Sequence, residues 1–108
     1  MHKNPLKNLS DQDLARVAAF FRALGEVSRL QLLSAMNSDE KSVTALVDAT
    51  GLSQPNVSRH LAALFVAGVI TKRKKGSSVQ YRIINGSLSE VCALACKQTM
   101  SHHRNHRS

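Results

Sequence analysis

Residues 52–70 read LSQPNVSRHLAALFVAGVI, and the whole fold hangs on how this stretch is placed. Ser53 is a residue type that caps helices, and Pro55 falls in the first turn, where a missing N–H costs nothing. At about 100° per residue, Val57, Leu61, Leu64, Phe65 and Gly68 share one face, which predicts a helix packed on a core. The opposite face carries Pro55, Asn56, Arg59 and Ala63. Just upstream, SVTALVDAT (42–50) places Val43, Leu46 and Val47 on one side and stops at Gly51, the residue expected past a helix C-terminus. Two short helices joined by a tight turn predict a helix-turn-helix.

Outward from that pair, DQDLARVAAFFRAL (11–24) spaces Leu14, Val17, Ala18 and Phe21 as an amphipathic helix, with Ser10 and Asp13 forming a capping-box-like start. Gly25 ends it. EVSRLQLLSAM (26–36) spreads Val27, Leu30, Leu32, Leu33 and Met36 almost all round the cylinder, predicting a helix buried on most sides. NSDEK (37–41) is a polar turn. Beyond Gly68 the period falls to two: VITKRKK (69–75) and SSVQYRI (77–83) flank Gly76, and Val79, Tyr81 and Ile83 alternate with Ser78, Gln80 and Arg82. This is a β-hairpin. NGSLSEVCALACKQTM (85–100) returns to a helix, and SHHRNHRS (101–108) reads as a flexible basic, His-rich tail. The expected organisation is an N-terminal arm over 1–9, a winged helix-turn-helix domain over 10–100 and that tail. The fold class is mainly α with a small β-hairpin.

Composition agrees with one small domain. The chain has 108 residues, 43% of them apolar, and its aromatics are only Phe20, Phe21, Phe65 and Tyr81, so the core must be mostly aliphatic. MHKNPLKNLS lacks the apolar run of a signal peptide, and LAALFVAGVI is too short to span a bilayer, so a cytoplasmic protein with no membrane partner is expected. There Cys92 and Cys96 are thiols rather than a structural bridge. The net charge is +8. No acidic residue falls between Asp48 and Glu90, whereas Arg59, Lys72, Arg73, Lys74, Lys75 and Arg82 do. A solvated basic face is the bland alternative, but so segregated a patch on a small domain favours a phosphate backbone, hence double-stranded DNA.

In a helix-turn-helix the second helix enters the major groove with its N-terminal residues on base edges. Asn56 and Arg59 are the leading candidates, with Gln54, Pro55 and Ser53 nearer the helix start. Asn and Gln pair with adenine, and Arg with guanine. Ser53 and Ser58 suit phosphates, although Ser53 serves equally as a cap. His60 sits at the margin of the apolar face, where a packed structural role competes with base contact. The wing offers Lys72, Arg73, Lys74 and Lys75 before its turn and Gln80 and Arg82 after it. Alternation sets Lys72 and Lys74 opposite Arg73 and Lys75, so only part of this set grips one surface.

The stretches RALGEVSRLQLLSAM and SVTALVDATGLSQPNVSRHLAALFVAGVITKRKKGSSVQYRI resemble the ArsR/SmtB family of bacterial repressors over roughly Ala18 to Met100. The resemblance implies a homodimer built on the first and last helices, operator binding through the helix from Ser53 and the wing, and release by an inducer. Those two helices each carry an apolar stripe that a chain of this size has few other elements to cover, which argues for a dimer independently, and two-fold symmetry requires a palindromic operator. The family's inducer sites are largely missing here. Its Cys-x-Cys segment corresponds to KSVTAL, its zinc ligands to Asn85, Ser87, Gln98 and Ser101, and its second-helix cysteine has no counterpart.

Cys92 and Cys96 remain. An i,i+4 pair separates Cβ atoms by about 5 to 6 Å, whereas a disulfide wants roughly 3.5 to 4.5 Å. A bridge within one helix is therefore strained, while a soft ion spans two sulfurs easily. The candidate inducer is arsenite or antimonite, As(III) or Sb(III), ahead of a soft metal ion. Its third ligand would come from the other protomer, a small thiol or water. His102, His103 and His106 are weaker candidates for completing a metal site. Two alternatives stay open: a redox or sulfide-responsive switch using the same thiols across the dimer, and a winged-helix interaction module whose cysteines are structural. No nucleophile–base set or phosphate loop marks an enzyme.

Overall fold

The computed structural model describes residues 4–37, 39–84 and 86–106; Asn85 and the side chain of His106, both named above, lie outside them. In chain order the elements are α1 (Asp11–Leu24), α2 (Val27–Met36), β1 (Lys41–Ser42), α3 (Val43–Thr50), α4 (Gln54–Val66), β2 (Ile70–Lys75), β3 (Ser78–Ile83) and α5 (Ser87–His106). The capping residues act as their types predict. The hydroxyls of Ser10, Ser42 and Ser53 accept hydrogen bonds from the backbone N–H groups of Asp13, Ala45 and Asn56. Each satisfies a donor that the first helical turn leaves orphaned. Gly51 closes α3 in the left-handed region (φ 75°), its N–H bonded to Val47 O.

At the far end of α4, Gly68 N–H reaches Phe65 O and Val69 N–H reaches Leu64 O, with Gly68 at φ 78°. This is a Schellman motif. Leu64 and Val69, the residues it brings together, are both buried. The chain therefore passes from α4 into β2 within three residues.

The core comprises Leu32, Leu33, Met36, Leu46, Val57, Leu61, Leu64, Val69, Ile70 and Leu88, with Phe20, Leu24, Val43, Val47, Tyr81 and Ile83 packed around it. Three details differ from the sequence reading. α2 is not buried on most sides: although it packs on α1, α3, α4 and β3, Val27 is 73% exposed and Leu30 is exposed too. On α1 it is Phe20, Ala23 and Leu24, none of them in the expected stripe, that face the core, while Leu14 and Phe21 of that stripe point outward. Phe65 leaves the buried face of α4, and His60 takes a place in it.

The hairpin becomes a three-stranded antiparallel sheet of order β1-β3-β2, because Lys41 of the supposed polar turn and Ser42 next to it pair with Tyr81 and Gln80. A two-residue pairing leaves no period in the sequence to detect. Between β2 and β3 the register runs from Ile70↔Ile83 to Lys75↔Ser78 around Gly76 (φ 65°), the first loop position, as a II′ turn demands. α5 runs to His106, into the stretch from 101 read as a tail. Residues 97–106 contain no Gly or Pro to stop it, and Arg104 falls in its last turn, where cations suit the helix dipole. No helix among the described residues is long and apolar enough to cross a membrane.

α5 touches the rest of the fold mainly near its start, through buried Leu88 and half-buried Cys92. The radius of gyration is 16.0 Å, against roughly 13 Å for a rounded domain of this length. Leu46, fully buried where α3 meets the core, gives a direct check of this packing. Leu46→Ala removes that side chain from a closed site and is expected to cost about 2 to 5 kcal/mol in urea unfolding.

Candidate nucleic-acid interface

α4 presents Gln54, Pro55, Asn56, Ser58 and Arg59 to solvent along its N-terminal half, while Val57, Leu61 and Leu64 hold it to the core. Arg59 Nη2 donates to Asn56 Oδ1 at 3.3 Å, so the two side chains stand together on the exposed face. Ser53 is exposed, but its hydroxyl is engaged as the cap of α4.

His60 is placed differently. It is 3% exposed, and its Nδ1 accepts from Arg29 Nε at 3.1 Å. Arg59 Nη2 stands 3.5 Å from Nε2. Such a ring cannot touch a base edge, so His60 leaves the candidate set for the structural role. Burial lowers its pKa first, and Arg59 and Arg29 lower it further against the opposing pull of Glu26. Accepting at Nδ1 requires a neutral ring there.

Arg29 itself, 16% exposed along its side chain, pairs with Glu26 at 2.9 Å and donates to Ala23 O at 3.3 Å. One guanidinium thus joins the end of α1, the start of α2 and the underside of α4. It was not singled out from the sequence, although a lone arginine inside the apolar run VSRLQLL was a visible signal.

On the sheet, Ile70, Lys72 and Lys74 pair across with Ile83, Tyr81 and Val79, and Thr71, Arg73 and Lys75 with Arg82, Gln80 and Ser78. The alternation expected for KRKK is therefore observed. Lys72 Nζ lies 4.6 Å from the centre of the Phe65 ring, a cation–π contact that ties the wing to α4. Arg73 forms a two-pronged pair with Glu40, at 2.6 and 2.7 Å. Gln80 is half-buried and bonds Ser78, whereas Lys74, Lys75 and Arg82 are exposed. Arg73 holds the Glu40 carboxyl below the usual carboxylate range, and Lys75 and Arg82 add to the effect against a desolvation cost.

Away from this face, Cys92 and Cys96 line a cavity of about 550 Å³ with Leu30, Leu33, Ile83 and Leu88. Cys92 is half-buried and Cys96 exposed, and both are free thiols. Among the described residues no group of three or more His, Cys, Asp or Glu side chains is disposed to hold a metal ion. His102 and His103 lie exposed on the last turns of α5 and do not join the thiols.

The arrangement matches known proteins. The model of the arsR family of bacterial regulatory proteins covers residues 26–72, from the cap of α2 into β2. The chain is 32% identical over 81 residues to an uncharacterized HTH-type transcriptional regulator of Mycobacterium tuberculosis, covering 74% of this chain and 71% of that one. It superposes with a TM-score of 0.78, at 30% identity, on the homodimeric winged helix-turn-helix DNA-binding domain of a possible ArsR-family transcriptional regulator from Mycobacterium bovis, covering 94% and 97% of the two chains. The chain belongs to the ArsR family. It is also 35% identical over 78 residues, 72% of its length, to a probable mercury resistance operon repressor of Streptomyces lividans, and spans 62% of that protein.

In this ArsR-family chain the buried histidine makes a pH signature. His60 titrates lower in the folded chain than in the unfolded one, so the unfolded state takes up protons first on acidification. Stability is full above about pH 6.5, the ordinary value of histidine, and is lost as pH falls through the lower native value. Urea midpoints measured from pH 8 to pH 5 are expected to drop below pH 6.5. In His60→Gln, which keeps an acceptor for Arg29, that part of the slope disappears.

Proposed function

We propose that this protein is a dimeric transcriptional repressor that binds a palindromic DNA operator. The observation that carries the reading is the exposed Asn56–Arg59 pair on the N-terminal half of α4 beside a wing bearing Lys74, Lys75 and Arg82. Helices of this kind read base edges from their N-terminal residues, and basic wings grip phosphates. Dimerisation is supported by the apolar residues that α1 and α5 leave outside the core: Phe21 is 56%, Leu94 68% and Met100 58% exposed. A patch of this kind on a small domain marks an interface.

Release by a thiophilic inducer is the second part of the proposal. Cys92 and Cys96 are the chain's only thiols, and they share one cavity between α2, β3 and α5. They suit a soft acceptor such as As(III), Sb(III) or a soft metal ion, but supply only two sulfurs. A third ligand must come from the partner protomer, a small thiol or water. An occupant there would bear on α5, the helix assigned to the dimer. The exposure of Cys96 supports a redox switch as the alternative, with a disulfide formed between protomers.

Selection from a random duplex pool, followed by fluorescence anisotropy, tests the DNA reading. Asn56→Ala and Arg59→Ala are expected to lose about 1 to 3 kcal/mol of discrimination at their own base positions. Lys75→Ala is expected to weaken binding to all sequences alike and to reduce the salt slope by about one unit. Affinity that ignores both sequence and salt would refute the reading. For the inducer, arsenite, mercuric ion and oxidant are each added to the operator complex of the natural chain and of Cys92→Ser and Cys96→Ser. Release that survives both substitutions rules the thiols out. Release by oxidant alone, with a covalent dimer on a non-reducing gel, selects the redox switch.

A further inference from the structure

We infer that Glu40 is an internal stand-in for phosphate: by occupying Arg73 it withholds that arginine from the DNA backbone and so limits the sequence-independent part of the affinity. The inference rests on the DNA-binding reading above. Among the described residues, Glu40 is the carboxylate paired to the basic wing, and it reaches the wing from outside, since residues 49 to 89 contain no acid. It sits immediately before β1, and β1 is paired to β3, so its backbone is fixed against the wing.

The geometry is that of an anion bound by a fork. Arg73 Nε and Nη2 each donate to a different oxygen of Glu40, at 2.6 and 2.7 Å. A guanidinium offers the same two-pronged face to a carboxylate and to a phosphate, so the two compete for one set of donors. Arg73 stands two residues short of the wing turn, on the face shared with Lys75 and Arg82, and its side chain is 60% exposed. Its place is therefore one where a DNA phosphate would otherwise be gripped. Thr71, Gln80 and Arg82 complete the rim of a small hollow of about 150 Å³ around the pair.

A pair so arranged lowers the wing's effective charge by one without removing a cation from the sequence. The base contacts of α4 are untouched, so the effect falls on operator and random DNA alike. Its use is to keep the operator complex loose enough to be released.

The test is binding of the full chain to random-sequence duplex DNA, by fluorescence anisotropy from 50 to 200 mM salt, for the natural protein, Glu40→Gln, and Glu40→Gln with Arg73→Gln. Glu40→Gln frees Arg73 for a phosphate. Its salt slope is expected to steepen by about 0.9, so that its advantage over the natural protein grows roughly threefold between 200 and 50 mM. In the double variant both partners are gone, and the natural slope is expected to return. An unchanged slope in Glu40→Gln overturns the inference. So does a double variant whose slope falls about one unit below the natural one, since Arg73 then already grips DNA in the natural protein. Weaker binding by Glu40→Gln together with a lower thermal unfolding midpoint would assign the pair to support of the wing, and would also overturn it. If the natural protein binds no DNA at all, the DNA-binding reading falls and takes this inference with it.

Discussion

The placement of α4 depends on one guanidinium. Arg29 spends its donors on three elements at once: the Ala23 carbonyl at the end of α1, the Glu26 carboxylate at the start of α2, and the His60 ring beneath α4. A cation this enclosed is costly unless its hydrogen bonds are met, and each partner here meets one. The same contact demands a neutral acceptor on His60. The orientation of α4 is thus fixed from below by a polar cluster, while Leu61 and Leu64 fix it by packing. Arg59, which follows the core at one residue's remove, stands over the same ring and leans on Asn56.

The helix-turn-helix was legible because its signals are local. Ser53, Pro55 and Gly51 act on backbone groups within a few residues of themselves, and the spacing of Val57, Leu61 and Leu64 fixes a buried face without knowledge of what covers it. The errors arose where a residue's role depends on distant chain. His60 looked marginal on a helical wheel, and only Arg29, thirty-one residues earlier, draws it inside. Glu40 looked like part of a turn until β1 placed it against Arg73. The stripe on α1 lies outward, on the side a dimer would cover, but which of the adjacent Phe20 and Phe21 turns to the core is selected by tertiary packing alone. The run from Ser101 to His106 was read as tail from its polarity, although nothing in it interrupts a helix.

The two cysteines gain a context that spacing could not give. Cys92 leans on the core and Cys96 opens to solvent, so one cavity has an apolar floor and an exposed thiol at its edge. Its walls come from α2, β3 and α5, elements that also carry the wing and the helix left largely outside the core.

The Schellman turn at the end of α4 has a mechanical consequence. Because the helix hands over to the wing within three residues, and Lys72 is laid across Phe65 beyond the joint, the two parts proposed to face DNA are joined without slack. They form a single jaw. In the proposed two-fold dimer, control would then act on the separation and tilt of two such jaws, as a calliper is set, against the fixed pitch of the double helix.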